Sequence, residues 1–463
     1  MMTDVPMIFL KGSCEMLIDK TLDEMTKKNK VVVGFDLGND YSQISYCRYN
    51  QSMPDTVSLV MGEERYNIPT LLCKRYDEKN DAEESTAWLI GNDALKSAEE
   101  GQGTLVKDLV LLAQNNVSIE VGEEELSAEY LLELFIKKTF AVLYAYAGTE
   151  GIAAVAFTLQ ELSTGIMEMI SGIAKRIGQK KMEVFFLSHE DCFFQYMIHQ
   201  PQEMWIHDVL LYDYKSDGIK SHILSMNRKT NPIACFIDTS RYPQMKIPDL
   251  SDKSETAKGA FYKQLDSALL EIVRKNCEQR NITSVFLLGD SFSKDWCRES
   301  LKYMCRGRRV FQGNNLFSKG ACYGARERAY PSTLSTTYVY LSEDKLRANI
   351  GMTCDRGQIE VYYPILDAGT NWYDAHKAFD VMLVKNNVIT LNIAPVDGSR
   401  TRVARISLEG LKVRGNKTNR VELRFYMEDA SAVQIEIRDK GFGEFFPSTG
   451  QIWKECLPLE VIT

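Results

Sequence analysis

Residues 31–46 read VVVGFDLGNDYSQISY, and this run narrows the fold more than any other stretch of the chain. Three β-branched residues lead into Gly34. Asp36 follows, then Gly38, polar Asn39 and Asp40, and Ser42, Ile44 and Tyr46 in strand alternation. The pattern predicts a buried strand, a tight turn and a returning strand. Gly38 lets the turn take a conformation that a side chain would forbid. Two readings stay open. The turn is an ordinary hairpin, or its successive backbone N–H groups form a concave nest for an anion such as phosphate. In the second case Asp36 stands beside the nest and can hold Mg²⁺ through water.

The chain has 463 residues, too many for one core, so two or more domains are expected. Net charge is −8, which disfavours a general role on nucleic acid or a membrane surface. No apolar stretch reaches transmembrane length. The short apolar run 7–10, followed by a charged, helix-like segment to Lys30, reads as neither signal peptide nor anchor. The 11 cysteines are scattered, odd in number and lack a CxxC pair, which points to a reduced, cytoplasmic setting. The five histidines show no metal-ligand spacing, against structural zinc.

Strand-like and helix-like segments alternate from 31 to 330 after an N-terminal extension, 1–30. Strands are expected at 153–159, 184–187 and 285–288, and a second hairpin at 209–214 and 219–224. From Phe261, apolar residues at 261, 265, 268, 269, 272 and 273 follow helical spacing. This is an α/β pattern. Its two hairpins look alike, as a duplicated lobe would make them. After Pro331 seven short strands are expected, at 336–341, 359–363, 381–384, 388–393, 404–408, 420–427 and 432–438, with Asp429, Ala430 and Ser431 as a turn. With no convincing helix among them they predict a β-sandwich over 331–463.

In order along 31–445, the chain resembles the DnaK-type heat-shock chaperones of the actin-like ATPase superfamily. GFDLGNDYS (34–42) is similar to their first phosphate loop, with YNIPTLLC (66–73) and WLIGNDALKSA (88–98) after it. TLVKDLVLLA (104–113) resembles the stretch with a catalytic lysine, here Lys107. AAVAFTLQELSTGIMEMISGIAKRIG (153–178) resembles the strand and helix before the second lobe. SHEDCFFQYM (188–197) stands where the family has a connecting acid, here Glu190. VLLYDYKSDGIKSHIL (209–224) occupies the second phosphate loop, with its acid at Asp213. The closest likeness, FYKQLDSALLEIVRKNCEQRNITSVFLLGDS (261–291), resembles the helix, strand and turn that contact adenosine. SKGACYGA (318–325) resembles the last helix of the nucleotide domain, and NRVELRFYMEDASAVQIEIRDKGFG (419–443) the substrate-binding sandwich, with DGSRTRVARISLEGL (397–411) before it.

The resemblance implies a two-lobed actin-like ATPase fold, then an all-β sandwich; the family's helical lid is expected to be missing here. It implies ATP or ADP with Mg²⁺. The phosphate loops would be Gly34, Asp36, Gly38, Asn39, Asp40 and Tyr41 on one side and Asp213, Ser216 and Gly218 on the other. Gly289, Asp290 and Ser291 would face adenosine, and Asp36 and Asp213 would orient the metal. Lys107, Glu190 and Asp213 would serve phosphoryl transfer. A protein or peptide partner would bind the sandwich, and neither nucleic acid nor a membrane is expected.

The chain also departs from the family. The glycine run of the second loop is replaced by Tyr214, Lys215, Ser216 and Asp217. Asp217 adds negative charge near an anionic ligand, and two unit charges about 4 Å apart repel by roughly 4 kcal/mol at an effective dielectric of 20. Lys215 offsets that charge or itself holds a phosphate. Asp290 replaces a glycine, the adenine-clamping helix has no counterpart between 225 and 260, and RERAYPSTLST replaces the hydrophobic linker. Each site has a plainer reading: Asp36 and Asp213 as turn caps, Lys107 and Glu190 as surface residues, and the Arg306–Arg309 cluster as a solvated loop. Tyr362, Tyr363, Phe425 and Phe445 line a peptide groove or are core. Two function classes result. One is a DnaK-like protein, at most a slow ATPase, that couples nucleotide to peptide binding. The other is a non-catalytic scaffold of the same fold.

Overall fold

The computed structural model describes residues 30–459, apart from 60–64, 77–86, 123, 149–150, 178–181, 216, 231, 249, 251, 279, 294, 314, 343–344, 357–358, 384–386, 397–399, 413–418 and 430. The expected extension before Lys30, Ser216 and the centre of the 429–431 turn therefore lie outside the described residues. The chain divides into two compact units, Met1–Leu224 with Asp238–Ser335, and Ser225–Ile237 with Thr336–Thr463.

The first unit is mixed α/β. In its first sheet the hairpin Val31–Leu37 and Tyr41–Arg48 is central. Val31–Leu37 also runs parallel to Ile152–Thr158, which runs parallel to Glu183–Leu187. In the second sheet the hairpin Asp208–Lys215 and Gly218–Asn227 is central. Its first strand runs parallel to Ile282–Leu288, which runs parallel to Arg309–Gln312. Parallel neighbours need crossovers, and helices Ala128–Ala147, Thr164–Ile177, Glu255–Glu278 and Arg298–Met304 lie in those stretches of chain. The two sheets thus share one strand order: two parallel neighbours on one side of a hairpin and a further strand on the other.

In the second sheet that further strand is Ile233–Tyr242, in a segment for which the sequence reading held no element. The helix expected from Phe261 begins at Glu255. No helix among the described residues is long and apolar enough to cross a membrane.

The first hairpin buries Val33, Phe35 and Ile44 on one face, where Phe35 meets Phe157 with ring centroids 5.4 Å apart and Phe140 at 6.1 Å. Helix Leu316–Ala329 lies on the other face. Gly34 makes that possible, because a Cβ there would strike the backbone of Ser318 and Cys322. Gly320 does the same against Cys192, so helices His189–Ile198 and Leu316–Ala329 pack backbone to backbone.

In the second unit two four-stranded antiparallel sheets share one core. One runs Ile359–Leu366, Ala348–Arg356, Val388–Pro395, Arg402–Ser407; the other Lys377–Leu383, Asn419–Asp429, Ala432–Asp439, Ile452–Pro458. Ile350 and Leu391 from the first meet Leu423, Phe425, Ile435 and Ile437 from the second. Six of the seven expected strands are here. The seventh is corrected: only Tyr338–Tyr340 is strand, and it pairs parallel with Ile233–Cys235, outside both sandwich sheets. Ala348–Arg356 and Ile452–Pro458 were not expected. The absence of helix after 331 is also corrected, by the short helix Thr333–Thr337.

Candidate functional site

Register sorts the side chains of the second hairpin. Asp213 pairs with Lys220 and Leu211 with His222. Alternation puts Asp213, Lys215, Lys220 and His222 on one face and Tyr212, Tyr214 and Ile219 on the other. The second face is core. Tyr214 is buried there, its hydroxyl donating to the Met245 carbonyl at 2.5 Å and its ring meeting Phe292 and Trp296. Tyr214, which the sequence places in the second phosphate loop, points its side chain away from the polar face.

On the polar face the Lys215 ammonium lies 3.5 Å from Asp213 Oδ2. Burial pulls the Lys215 pKa down, but the charges of Asp213 and Asp36, with Asp217 behind them, outweigh it and leave the pKa above the ordinary value. The ammonium also stands 5.9 Å from the centre of the Phe317 ring. On that ring lies His189, centroids 4.0 Å apart and 4° from parallel. His189 Nε2 is 3.1 Å from Asp36 Oδ1. The acids of the two hairpins therefore join one cluster, through Asp36, His189, Phe317, Lys215 and Asp213. Asp217, beyond the hairpin strand, accepts from Gln160 Nε2 at 3.2 Å.

Ser188 starts the helix that carries His189, in a reciprocal cap with Asp191. The next residue, Glu190, turns the other way. Its Oε1 accepts from the Thr239 hydroxyl at 3.1 Å and lies 3.4 Å from His222 Nδ1. Thr239 has one hydroxyl hydrogen, given to Glu190, so its oxygen accepts from His222 Nδ1 at 2.9 Å. Nε2 is then a bare acceptor, buried and without a hydrogen-bond partner among the described residues. Burial pushes the His222 pKa down. Burial opposes ionisation of Glu190, but His222, the backbone and Thr239 outweigh it and lower that pKa. Glu190 is thus built into the cluster rather than lying on a plain surface.

The other expected site residues serve the fold. Asn39 donates to Asp108 at 2.8 Å and accepts from the Leu111 amide at 3.3 Å. The Asp40 carbonyl accepts from the Thr70 amide. Asp290 accepts two bonds from Asn67 Nδ2, at 3.0 and 3.1 Å, and Gln43 donates to Asn67 Oδ1 at 2.5 Å. Tyr41 is half exposed at 46 %, its hydroxyl pKa raised by partial burial and by Asp290 and Asp40. The Ser291 carbonyl accepts from Trp296 Nε1 at 2.7 Å.

The glycines are likewise used internally. A Cβ on Gly38 would strike the Tyr41 carbonyl, one on Gly218 the backbone of Tyr242, and one on Gly289 the backbone of Tyr214. Gly289 also has φ +100°. At Gly34, Gly218 and Gly289 the side on which a Cβ would stand is filled by protein backbone. Lys107 is exposed and has no hydrogen bond or ion pair among the described residues.

The carboxylates expected to meet a metal-bound nucleotide have protein partners. Asp36 is engaged by His189, Asp213 by an ammonium and Glu190 by Thr239 and His222. No group of three or more His, Cys, Asp or Glu among the described residues has the arrangement to hold a metal ion. The sequence reading missed His189, His222, Thr239, Asn67 and Phe317, whose roles come from contacts across distant chain segments. The one signal for the histidines was their lack of metal spacing, which fits a role as partners of acids.

In the second unit, Phe425 is core and Tyr362, Tyr363 and Phe445 are exposed, so the four do not line one groove. Phe442, Phe445 and Phe446 instead surround a shallow apolar hollow beside Arg420.

A domain of unknown function, DUF8552, matches residues 345–459. No curated protein matches the chain. The description "Family of unknown function (DUF5716) C-terminal" matches residues 53–343, well over half the chain, and the chain belongs to that family.

Proposed function

We propose that this protein is a non-hydrolysing scaffold built on a two-lobed actin-like fold, holding a protein or peptide partner through its C-terminal sandwich. One observation carries the reading: the Lys215 ammonium sits on Asp213, where a nucleotide-bound metal would need a free carboxylate. The pairing of Asp36 with His189 and the backbone packed against Gly289 support it. Lobe topology is inferred from the shared strand order of the two sheets, the order a duplicated lobe would have. Exposed aromatic residues on the sandwich support a partner there.

A DnaK-like protein that holds ATP·Mg²⁺ and turns it over slowly is the second reading. The joining of the two hairpin acids in one cluster favours it, as does a lysine able to hold phosphate.

Calorimetric titration of the full chain with ATP·Mg²⁺ separates the two. The scaffold predicts no heat of binding and no thermal shift. Saturable binding, lost in Asp36→Ala and in Asp213→Ala, would replace it with the nucleotide reading.

A further inference from the structure

Several arginines of this protein are paired with an acid. Arg176, Arg280, Arg298, Arg328, Arg420, Arg424 and Arg438 all reach a carboxylate. Four on the second sheet's outer side do not: Arg274, Arg306, Arg308 and Arg309 have no acidic partner among the described residues. Three of these converge on one ring. The guanidinium carbons of Arg308, Arg274 and Arg306 lie 5.4, 5.7 and 5.8 Å from the centre of Tyr303.

Each such contact is attractive, and the ring gathers like charges that otherwise repel. Arg308 is fixed further, its Nη1 donating to the Tyr303 and Met304 carbonyls at 3.1 and 3.4 Å. Arg274, Arg306 and Arg309 are exposed. Arg309 opens the strand Arg309–Gln312 at the sheet's edge. Guanidiniums without an acidic partner, that of Arg308 held by backbone carbonyls, form on a chain of net charge −8 a local surface complementary to carboxylates.

We propose that the Tyr303 arginine cluster docks a short acidic segment of a partner protein. A few guanidiniums suffice for carboxylate forks, which they match bidentately. A nucleic acid would need a long basic strip, and here exposed Glu271, Glu278 and Glu299 interrupt the charge on the same two helices.

The test is fluorescence anisotropy of labelled octaglutamate with the full chain. Saturable binding is expected at about 0.05 M salt, weakening toward about 0.3 M. Arg306→Glu with Arg309→Glu should weaken it by at least about tenfold, about 1.4 kcal/mol. Lys96→Glu, on helix Gly91–Glu99, should not. Arg306→Gln alone, an exposed neutral change, should give a smaller loss in the same direction if the double variant unfolds. The proposal fails if octaglutamate does not bind, if affinity survives these changes, or if octauridylate or anionic lipid vesicles bind more tightly at equal salt.

Discussion

Lys215 and Asp213 are two residues apart on one strand, so alternation alone puts them on the same face. The strand was expected to end at Tyr214 and runs on to Lys215, which is what brings the pair onto one face. His189, His222 and Thr239 come from three separated elements, and only the folded sheets bring them to Glu190 and Asp36. The ion pair makes a residue-level prediction. Breaking a buried pair costs about 3–5 kcal/mol, because a carboxylate is left without its cation. Asp213 is nearly buried, but the Lys215 side chain is 30 % exposed and water screens part of the charge. Lys215→Ala should therefore destabilise the chain by about 1–3 kcal/mol in urea unfolding. Millimolar Mg²⁺ should recover part of that loss in the variant and leave the unsubstituted chain unchanged. An unaltered urea midpoint in the variant would remove Lys215 as the resident counter-ion.

At the level of elements, hairpins and parallel strands showed in the sequence because one face of each is apolar. Ile233–Tyr242 did not show, since half of its residues are exposed and its second half, Asp238–Tyr242, lacks apolar alternation. Ala348–Arg356 does alternate, but Gly351 reads as a break; its missing Cβ leaves room for the Tyr362 ring from the neighbouring strand. The junction of helices His189–Ile198 and Leu316–Ala329 was also hidden. There buried Glu327 lies 3.1 Å from His199 Nε2 and accepts from the Ser332 amide and hydroxyl. Burial opposes its ionisation, but His199 and Ser332 outweigh that and bring its pKa from 4.5 to about 2. The folded state therefore binds this proton less readily than the unfolded chain does. Its stabilisation is complete above about pH 4.5, shrinks as pH falls, and is gone below about pH 2. Glu327→Gln should lower stability at pH 7 by on the order of 2–3 kcal/mol and flatten the acid branch between those values. Parallel stability–pH curves for variant and unsubstituted chain would show that the carboxylate adds nothing.

Over the whole molecule, the apolar residues sort into separate cores. The core of the second hairpin's sheet draws on 210–310, whereas that of the sandwich draws on 346–459 alone. All eight sandwich strands fall between Ala348 and Pro458, and each pairs only within its own four-stranded sheet. The second unit nevertheless includes Ser225–Ile237, whose partner strand is Tyr338–Tyr340. That pairing contributes no residue to the sandwich core. A domain is able to fold alone when its buried apolar surface is internal to it. Residues 345–459, the span matched by DUF8552, should therefore fold when expressed without the rest of the chain. The expected outcome is one cooperative urea transition with a slope of about 1–2 kcal/mol per molar, in the range for a small domain, together with fixed aromatic circular dichroism. A broad, non-cooperative loss of signal would mean that the sandwich depends on residues before 345, with Tyr338–Tyr340 and its partner strand the first candidates to restore it.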